Sequence, residues 1–245
     1  MPGGHSGNIS RYVFEYFSFA LVFPPMKLRV IVTGTTGMVG EGVLLECLQD
    51  PNVEQVLSIS RRPSGISHPK LREIIHADFH NLTPIQEQLT GYNACFFCLG
   101  VSAVGLQEPE YRRLTYDLTL HFAQTLLPRN PGLTFCYVSG AGTDSSEKGR
   151  QMWARVKGKT ENDLLKLGFA HAYMFRPGFL KATPGQRHVL SYYKYFGWLY
   201  PALRRLAPKY VSTLAELGRA MLHVARHGAT KPVLEVPDIV ALARP

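Results

Sequence analysis

Residues 30–42 read VIVTGTTGMVGEG, and this stretch decides the fold. A β-branched apolar run ends at Gly34, and apolar residues with helical spacing follow until Pro51. Between a strand and a helix, Gly34 permits a tight turn and Gly37 lets backbone amides approach a pyrophosphate, while Gly40 allows helix and strand to pack closely. The positive end of such a helix faces the phosphates. The stretch therefore predicts a dinucleotide-binding strand–loop–helix unit.

The rest of the chain alternates between strands and helices in the same way. Apolar runs predict buried strands, while capping signals and helical spacing predict helices between them. Strands that are apolar throughout are typical of a parallel sheet covered on both faces. The predicted fold class is therefore α/β, a Rossmann-type doubly wound parallel sheet with a small C-terminal lobe. Further strands are predicted at 53–60, 71–78, 92–100, 133–140 and 170–178, and helices at 83–91, 108–127, the segment containing Trp153 and Lys157, and 212–228.

The chain of 245 residues divides into three segments. Residues 1–25 are apolar but contain Glu15 and are too short to span a bilayer, so they are predicted to be a disordered leader outside the fold. A membrane-contacting arm is the alternative for this segment. Residues 26–178 are predicted to form the NAD(P)-binding Rossmann domain. Residues 179–245 are predicted to be a small lobe for substrate or partner that completes the same single domain.

The formal net charge of +9 suits acidic small molecules, membrane surfaces or nucleic acid as partners. The basic residues are scattered, however, and no nucleic-acid recognition motif accompanies them, so specific nucleic-acid binding is not predicted.

Four cysteines are present, and Cys95 and Cys98 form a C-x-x-C within an apolar run. Residues three apart on a strand point to opposite faces, which favours two core cysteines over a redox pair. The cysteines indicate a reducing compartment, and a cytoplasmic location is predicted.

The end of the second predicted strand bears on the choice of cofactor. NAD sites carry an acidic residue there for the ribose 2′-hydroxyl, whereas NADP sites tend to carry arginine for the 2′-phosphate. This chain has Ser60, Arg61 and Arg62 at that point and no acidic residue. An arginine fork matches phosphate, so NADP(H) is favoured over NAD(H). A solvated arginine pair in a loop is the alternative.

These residues together carry a family resemblance. TGTTGMVG at 33–40 resembles the T-G-x-x-G-x-x-G fingerprint of extended and atypical short-chain dehydrogenases/reductases. Asp78, the CLG that ends at Gly100, Ser139, Lys157 and the RPG at 176–178 follow in the family's order. The match covers roughly residues 28–180. It is most similar to the branch that contains Tat-interacting-protein-like NADPH-binding proteins and bacterial sequences loosely called epimerases.

The resemblance implies roles for individual residues. Asp78 would bond the adenine edge, Ser139 a substrate carbonyl, and Lys157 the nicotinamide ribose. Pro177 and Gly178 would flank the nicotinamide. The predicted catalytic residues are Ser139 and Lys157, and the predicted cofactor-binding residues are Gly34, Thr36, Gly37, Met38, Val39, Gly40, Ser60, Arg61, Arg62, Asp78, Leu99, Gly100, Lys157, Pro177 and Gly178.

The chain departs from the family at the catalytic Y-x-x-x-K element. The spacing from Ser139 and to Lys157 puts Trp153 where the tyrosine belongs. An indole N–H is only a donor and does not ionise in the working range, so Trp153 cannot fill the acid/base role. Lys157 itself, as in isoflavone-reductase-like relatives, or Tyr111 or Tyr137 would have to replace it.

Two classes of function follow. The first is an NADP(H)-binding atypical short-chain dehydrogenase/reductase that acts as a reductase or epimerase-like enzyme on a small carbonyl substrate. The second is a non-catalytic NADPH-binding sensor or partner-binding protein, in which Trp153 is a wall beside the nicotinamide. A small-molecule substrate or a regulatory protein is accordingly expected as partner.

Other features carry weaker predictions. Six aromatic residues lie between Tyr192 and Tyr200, and they predict packing of the small lobe, a lid, a homodimer surface or a peripheral membrane contact through 191–210. His76 and His80 straddle a strand end and a turn, so no metal site is predicted. Ser145 and Ser146 would either assist Ser139 or form a turn.

Overall fold

The computed structural model describes residues 27–189 and 200–244. Seven parallel strands form the main sheet in the order β3-β2-β1-β4-β5-β6-β9, and two short parallel strands, β7 and β8, form a second sheet. The strands are β1 (Leu28–Thr33), β2 (Val53–Ser60), β3 (Leu71–Ile75), β4 (Ala94–Phe97), β5 (Thr134–Val138), β6 (His171–Arg176), β7 (Phe179–Lys181), β8 (Val211–Thr213) and β9 (Val233–Glu235).

Helices cover both faces of the main sheet. One hydrophobic cluster joins it to α1, α6 and α7, and the other joins it to α3 and α4. The helices are α1 (Met38–Gln49), α2 (Glu108–Arg112), α3 (Leu118–Leu126), α4 (Met152–Lys166), α5 (Tyr200–Leu206), α6 (Leu214–His227) and α7 (Val236–Leu242). The predicted α/β class and doubly wound parallel sheet are confirmed.

The strand order creates the place for a ligand. The chain leaves β3 at one edge and returns as β4 on the other side of β1, so the connections after β1 and β4 run in opposite directions. In open α/β sheets, ligands bind outside the carboxyl ends of the strands at this reversal. The glycine loop follows β1 at that position.

The apolar strand runs are buried because helices lie on both sides. Cys95 packs in one hydrophobic cluster and Cys98 against the other, which confirms the prediction that they point to opposite faces. Both thiols are free, and burial raises their pKa above the ordinary value.

Two predicted elements near residue 80 are wrong. The third strand ends at Ile75 instead of Asp78, because the His76 imidazole bonds the carbonyl oxygens of Asp78 and Asn81 and the chain turns there. The helix predicted at 83–91 is only a 3₁₀ turn at Gln86–Leu89, and the Thr83 side chain does not cap it. Four helical residues are too few for the regular α-helical hydrogen-bond ladder to develop.

The predicted helix at 108–127 forms as α2 and α3, joined by a π-helical turn at Arg113–Asp117. The capping box of the helix at 212–228 is confirmed, since the Thr213 hydroxyl accepts from the Glu216 amide and the Glu216 carboxylate accepts from the Thr213 amide. Gly228 ends this helix with a φ of 72°.

The sequence pattern predicted this helix as the last element of the chain. That prediction is wrong, because β9 and α7 follow it, and β9 pairs with β6 at the edge of the main sheet. A strand of three residues carries too short an apolar run to be recognised from sequence.

The predicted leader at 1–25 and most of the aromatic stretch at 191–200 lie outside the described residues. Within the described residues, no helix is both long enough and apolar enough to cross a bilayer.

Candidate functional site

The glycine loop has the close contacts that exclude side chains. Gly34 has a φ of 72°, and a Cβ there would lie 2.8 Å from the carbonyl oxygen of Cys98 at the end of β4. A Cβ on Gly40 would collide with the carbonyl oxygen of Gly34. The first glycine therefore lets the loop turn against β4, and the last lets α1 start directly above the loop.

The loop opens onto a cleft of about 420 Å³ at the carboxyl ends of β1, β2 and β4. No side chain caps the N-terminus of α1, so its first amides are available to an anion. Eleven of the fifteen predicted cofactor-binding residues line this one cleft: Gly34, Thr36, Gly37, Met38, Val39, Gly40, Ser60, Arg61, Arg62, Leu99 and Gly100.

Sequence reasoning missed four residues that line the same cleft, namely Phe79, Cys98, Val101 and Ser102. Phe79 is buried beside the predicted Asp78, and the other three flank the predicted Leu99 and Gly100. Extension of each predicted position by one or two residues along the loop would have found them.

Asp78 is exposed and does not line the cleft. Its carboxylate accepts a hydrogen bond from the His80 amide at 2.9 Å, and the Phe79 ring takes the neighbouring place in the lining. The carboxylate therefore holds a local turn in this structure.

Arg61 and Arg62 are the basic groups of the cleft. Both are exposed, and within the described residues neither guanidinium is in an ion pair. The Ser60 hydroxyl donates to the Arg62 carbonyl oxygen at 2.6 Å and so fixes the backbone that carries them. Two unpaired arginines at the end of β2 can serve an anion at this rim of the cleft.

A second group of predicted residues lies at the end of β5, the strand next to β4. The Lys157 ammonium, carried by α4, donates to the backbone carbonyl of Ser139. Burial lowers the pKa of Lys157 to about 8, and the nearby Glu161 carboxylate acts in the opposite direction. Trp153 precedes Lys157 by one turn of α4. Its ring lies beside Gly142 in the loop after β5, and a Cβ on Gly142 would lie 3.4 Å from the ring. Trp153 and Lys157 therefore share the face of α4 that meets the end of β5.

The Ser139 hydroxyl points to a buried carboxylate. Its Oγ donates to Glu161 Oε1 at 2.5 Å and lies 3.1 Å from the carbonyl oxygen of Phe175. Glu161, only 1% exposed, also forms an ion pair with Arg176 from β6, whose Nε lies 3.0 Å from Oε1. Arg176 further reaches Glu235 at 3.2 Å.

Sequence reasoning missed both Glu161 and Arg176. Glu161 follows Lys157 by four residues on α4, and Arg176 is the first residue of the quoted RPG, so both were adjacent to predicted positions. For Arg176 the available signal was a charged residue at the end of an apolar strand, because buried charges are rare unless they are paired. Glu161 lies among other polar residues of α4 and carried no such signal.

Tyr111 and Tyr137 were considered as replacement acids, and the structure excludes them. Each is 1% exposed, and burial raises the pKa of both phenols. The Tyr137 hydroxyl lies beside Thr160. A phenol with a raised pKa inside the core cannot exchange protons at the end of β5.

Pro177 and Gly178 follow β6 at the same edge of the sheet. The Pro177 carbonyl accepts from the Ala141 amide at 2.8 Å, and a Cβ on Gly178 would collide with the carbonyl oxygen of Tyr210. Ser145 accepts from Arg176, whereas Ser146 bonds the Asp144 carboxylate at 2.6 Å within a turn. Among the described residues, no group of three or more acidic, histidine or cysteine side chains could hold a metal ion.

Comparison with curated proteins finds a mitochondrial group. The chain is 32% identical over 166 residues to the protein fmp52, mitochondrial, of Emericella nidulans, covering 65% of this chain and 68% of the relative. It is 31% identical over 168 residues to the protein fmp52-1, mitochondrial, of Aspergillus terreus, covering 66% and 71%. These names contradict the prediction of a cytoplasmic protein, which rested on cysteine content alone. Free buried thiols occur in any reducing compartment, so they do not distinguish the cytoplasm from other such compartments.

Solved structures share the fold at low sequence identity. The ADP-L-glycero-D-manno-heptose-6-epimerase of Helicobacter pylori has a TM-score of 0.62 at 15% identity, covering 89% of this chain and 81% of that one. The Bordetella bronchiseptica enzyme WbmF, in complex with NAD⁺, has a TM-score of 0.62 at 14% identity, covering 89% and 77%. A short chain dehydrogenase family protein of Francisella tularensis has a TM-score of 0.58 at 16% identity, covering 85% and 96%.

No model of a known protein family matches the chain. The solved structures confirm the predicted resemblance to extended and atypical short-chain dehydrogenases/reductases at the level of the fold. With its sequence identity to the two curated relatives over more than two thirds of their length, this chain belongs to the Fmp52 family.

Proposed function

We propose that this chain is an NADP(H)-dependent oxidoreductase of the short-chain dehydrogenase/reductase type that acts on a small carbonyl substrate. The observation that carries the proposal is Lys157 on α4, whose ammonium has a pKa of about 8 and lies at the end of β5, the second strand along from the glycine loop. The cleft fits a dinucleotide, because Gly37 and Gly100 leave their sides of the loop open. A Cβ on Gly100 would meet nothing within 4 Å. The neighbour WbmF was solved with NAD⁺, which supports this kind of ligand.

Arg61 and Arg62 support the choice of NADP(H). They are unpaired within the described residues and lie at the end of β2, where a 2′-phosphate is bound in this fold. The two arginines supply positive charge for a phosphate. No acidic side chain stands at this position to bind a ribose 2′-hydroxyl. The NAD⁺ in the neighbour's complex makes direct competition between the two cofactors the necessary measurement.

Lys157 is the proposed acid/base group. When bound, NADPH would supply the hydride that the carbonyl carbon of the substrate accepts. The Lys157 ammonium delivers a proton to the carbonyl oxygen, which becomes the hydroxyl of the alcohol product, and the neutral amine then takes a proton from water. A pKa of about 8 suits this exchange, since general acids work best with a pKa near the operating pH. An epimerase-like reaction would need the reverse steps, which oxidise an alcohol to the carbonyl, followed by the forward steps on the opposite face of that carbonyl; the Helicobacter pylori neighbour is named as an epimerase.

The experiment separates the charge of Lys157 from its proton. The wild type and Lys157→Arg are incubated with NADPH and a panel of small aldehydes and ketones, and reduced nicotinamide is followed by absorbance. Arginine keeps the positive charge that a ribose site needs but does not release its proton in this range. Lys157→Arg should bind NADPH and lose about 10²–10⁴-fold in rate. Equal rates for both proteins would contradict the role of Lys157.

A second function, a non-catalytic NADP(H)-binding sensor, is favoured by Ser139. Its hydroxyl donates to Glu161 and is therefore committed to the core rather than to a substrate carbonyl. In this alternative Trp153 and Ser139 are both structural, and a regulatory protein is the partner. Tight NADPH binding without turnover on any carbonyl would favour the sensor over the reductase.

The mitochondrial names of the relatives also bear on the proposal. We infer that this chain acts in mitochondria, where it would meet the NADP(H) pool of that organelle. Fractionation of cells that express the full chain tests this, and recovery of the protein only in the cytosolic fraction would contradict it.

A further inference from the structure

A second cleft lies at the opposite end of α1 from the glycine loop. It has a volume of about 820 Å³ and runs along α6, with the end of α7 and Asp50 forming the other side. α1 separates the two clefts, because its twelve residues span about 18 Å and Asp50 follows its last turn. The volume is within the range of about 300–1,000 Å³ that small-molecule sites occupy. Nothing in the nucleotide chemistry described above uses this cleft.

The lining is strongly basic. Four arginines and two histidines face two carboxylates: Arg204, Arg219, Arg226, Arg244, His223 and His227 against Asp50 and Glu216. On α6, Glu216, Arg219, His223 and Arg226 are spaced by three, four and three residues, which puts them on one face of the helix. One wall of the cleft therefore carries Arg219 and Arg226 on the same face, with His223 between them.

Both carboxylates are occupied by structural contacts. Asp50 accepts from Arg226 Nη1 at 2.9 Å and from the Asn52 amide at 2.7 Å. Glu216 accepts from Arg204 at 2.6 Å and caps α6 through the Thr213 amide. The acidic groups of the lining therefore neutralise Arg204 and Arg226 only.

The remaining cations have no direct partner. Within the described residues, the side chains of Arg219 and Arg244 make no hydrogen bond and no ion pair within 4 Å. Burial raises the pKa of the Glu46 carboxyl, and the charge of the nearby Arg219 lowers it by a smaller amount. Arg226 Nε is buried without a hydrogen-bond partner. The pKa of His223 is lowered by burial and by the positive groups His227 and Arg226 beside it. An anion in the cleft would relieve each of these three features.

We propose that this cleft binds a phosphoryl-bearing anion. Arginine forks match phosphate oxygens in geometry and charge, and the mixture of two free arginines with an unsatisfied Nε offers several such donors at once. The apolar part of the lining, Val240, Leu242 and Ala243, leaves room for an uncharged portion of the ligand. Two sources share this chemistry, a soluble phosphorylated metabolite and the headgroup of an anionic phospholipid.

The test uses a pair of variants with the same change in charge. Arg219→Gln/Arg244→Gln removes the two unpaired arginines of this cleft, and Arg113→Gln/Arg150→Gln removes two exposed arginines that line neither cleft. All four side chains are exposed and unpaired within the described residues, so both variants should fold as the wild type does. Inorganic pyrophosphate is titrated by calorimetry into each protein. Vesicles of phosphatidylcholine alone, or with an equal amount of phosphatidylglycerol, are tested by co-sedimentation.

The proposal requires that Arg219→Gln/Arg244→Gln weaken the binding of pyrophosphate or of the anionic vesicles by about tenfold or more. The matched variant should bind both probes nearly as well as the wild type does. Binding of pyrophosphate would identify a soluble ligand, and binding of the anionic vesicles alone would identify a lipid headgroup. NMR titration of the His223 ring locates the site, since a bound anion must raise its pKa. No binding of either probe, equal loss in both variants, or an unchanged His223 pKa would overturn the proposal.

Discussion

Glu161 and Arg176 form an ion pair inside the protein, with the Glu161 side chain 1% and the Arg176 side chain 11% exposed. The pair joins α4 to β6, and the Ser139 hydroxyl at the end of β5 donates to the same carboxylate. Two charges are stable here because each has several hydrogen-bond partners, and the removal of Glu161 would leave Arg176 with only the partly exposed Glu235 as an ionic partner.

We expect Glu161→Gln to destabilise the protein by about 3–5 kcal/mol, because Arg176 would keep its charge in the core. Asp163→Asn on the same helix is the matched control, since this partly exposed carboxylate pairs with Lys159 and the change should cost about 1 kcal/mol or less. Urea unfolding measures both. Similar losses of unfolding free energy in the two variants would show that the buried ion pair contributes no more to stability than the partly exposed one.

The pKa of Lys157 predicts a specific dependence of stability on pH. In the folded chain the pKa is about 8, below its ordinary value of 10.5, so between these values the unfolded chain binds more protons. Stability contributed by this group therefore rises with pH from about 8 to about 10.5, by about 3 kcal/mol in total. Lys157→Met lacks this change. Urea unfolding measures the free energy of unfolding of both proteins at pH 7 and pH 10.5. Relative to the variant, the wild type should be more stable at pH 10.5 than at pH 7, and a constant difference in free energy would contradict the shifted pKa.

Arg61→Ala/Arg62→Ala should abolish a preference for NADP(H) over NAD(H). A charge-assisted hydrogen bond to a 2′-phosphate is worth about 1.5–3 kcal/mol, or about tenfold to a hundredfold in affinity. Titration of both cofactors into the wild type and the variant measures it. Arg219→Ala/Arg244→Ala, which changes the same charge elsewhere, should keep the preference. Equal affinities of the wild type for the two cofactors would refute the assignment.

Two glycines of the cleft should respond differently to an added methyl group. A Cβ on Gly40 collides with the Gly34 carbonyl, so Gly40→Ala should lower the melting temperature. A Cβ on Gly100 meets no protein atom within 4 Å, so Gly100→Ala should fold normally and weaken cofactor binding by filling its space. Melting temperature and cofactor titration separate the two effects. Unchanged affinity in Gly100→Ala would place the cofactor elsewhere.

Trp153→Tyr should restore the Tyr–Lys pair on α4 and increase NADPH-dependent carbonyl reduction, since a general acid contributes about 10²–10⁴-fold. The gain is limited by substrate positioning, because the Ser139 hydroxyl donates to Glu161 in this structure. Trp153→Phe should leave cofactor affinity and native activity nearly unchanged, because the indole only packs. Loss of a brisk wild-type activity in Trp153→Phe, at an unchanged melting temperature, would show that the indole works in the site.

The sequence by itself determined the parallel sheet and the position of the cleft. Apolar strands, the glycine loop and the capping signals are local patterns, and each reports the environment of its own few residues. For the same reason Gly34, Gly40 and the Thr213–Glu216 capping box were correctly predicted. The short elements β9 and Gln86–Leu89 have too few residues for such a pattern. Contacts with residues distant in sequence, such as the pairing of β9 with β6, decide whether they form and how long they are.

Only the tertiary structure decided which charged groups meet. Glu161 and Arg176 lie fifteen residues apart on different elements, and their pairing depends on how α4 packs against β6. The same packing directs the Ser139 hydroxyl toward Glu161, lowers the pKa of Lys157 and encloses Tyr111 and Tyr137 in the core. The basic cleft along α6 likewise arises from Asp50, α6 and α7, which are distant in sequence. Electrostatic effects depend on distance and burial in three dimensions, which a local pattern of residue types does not contain.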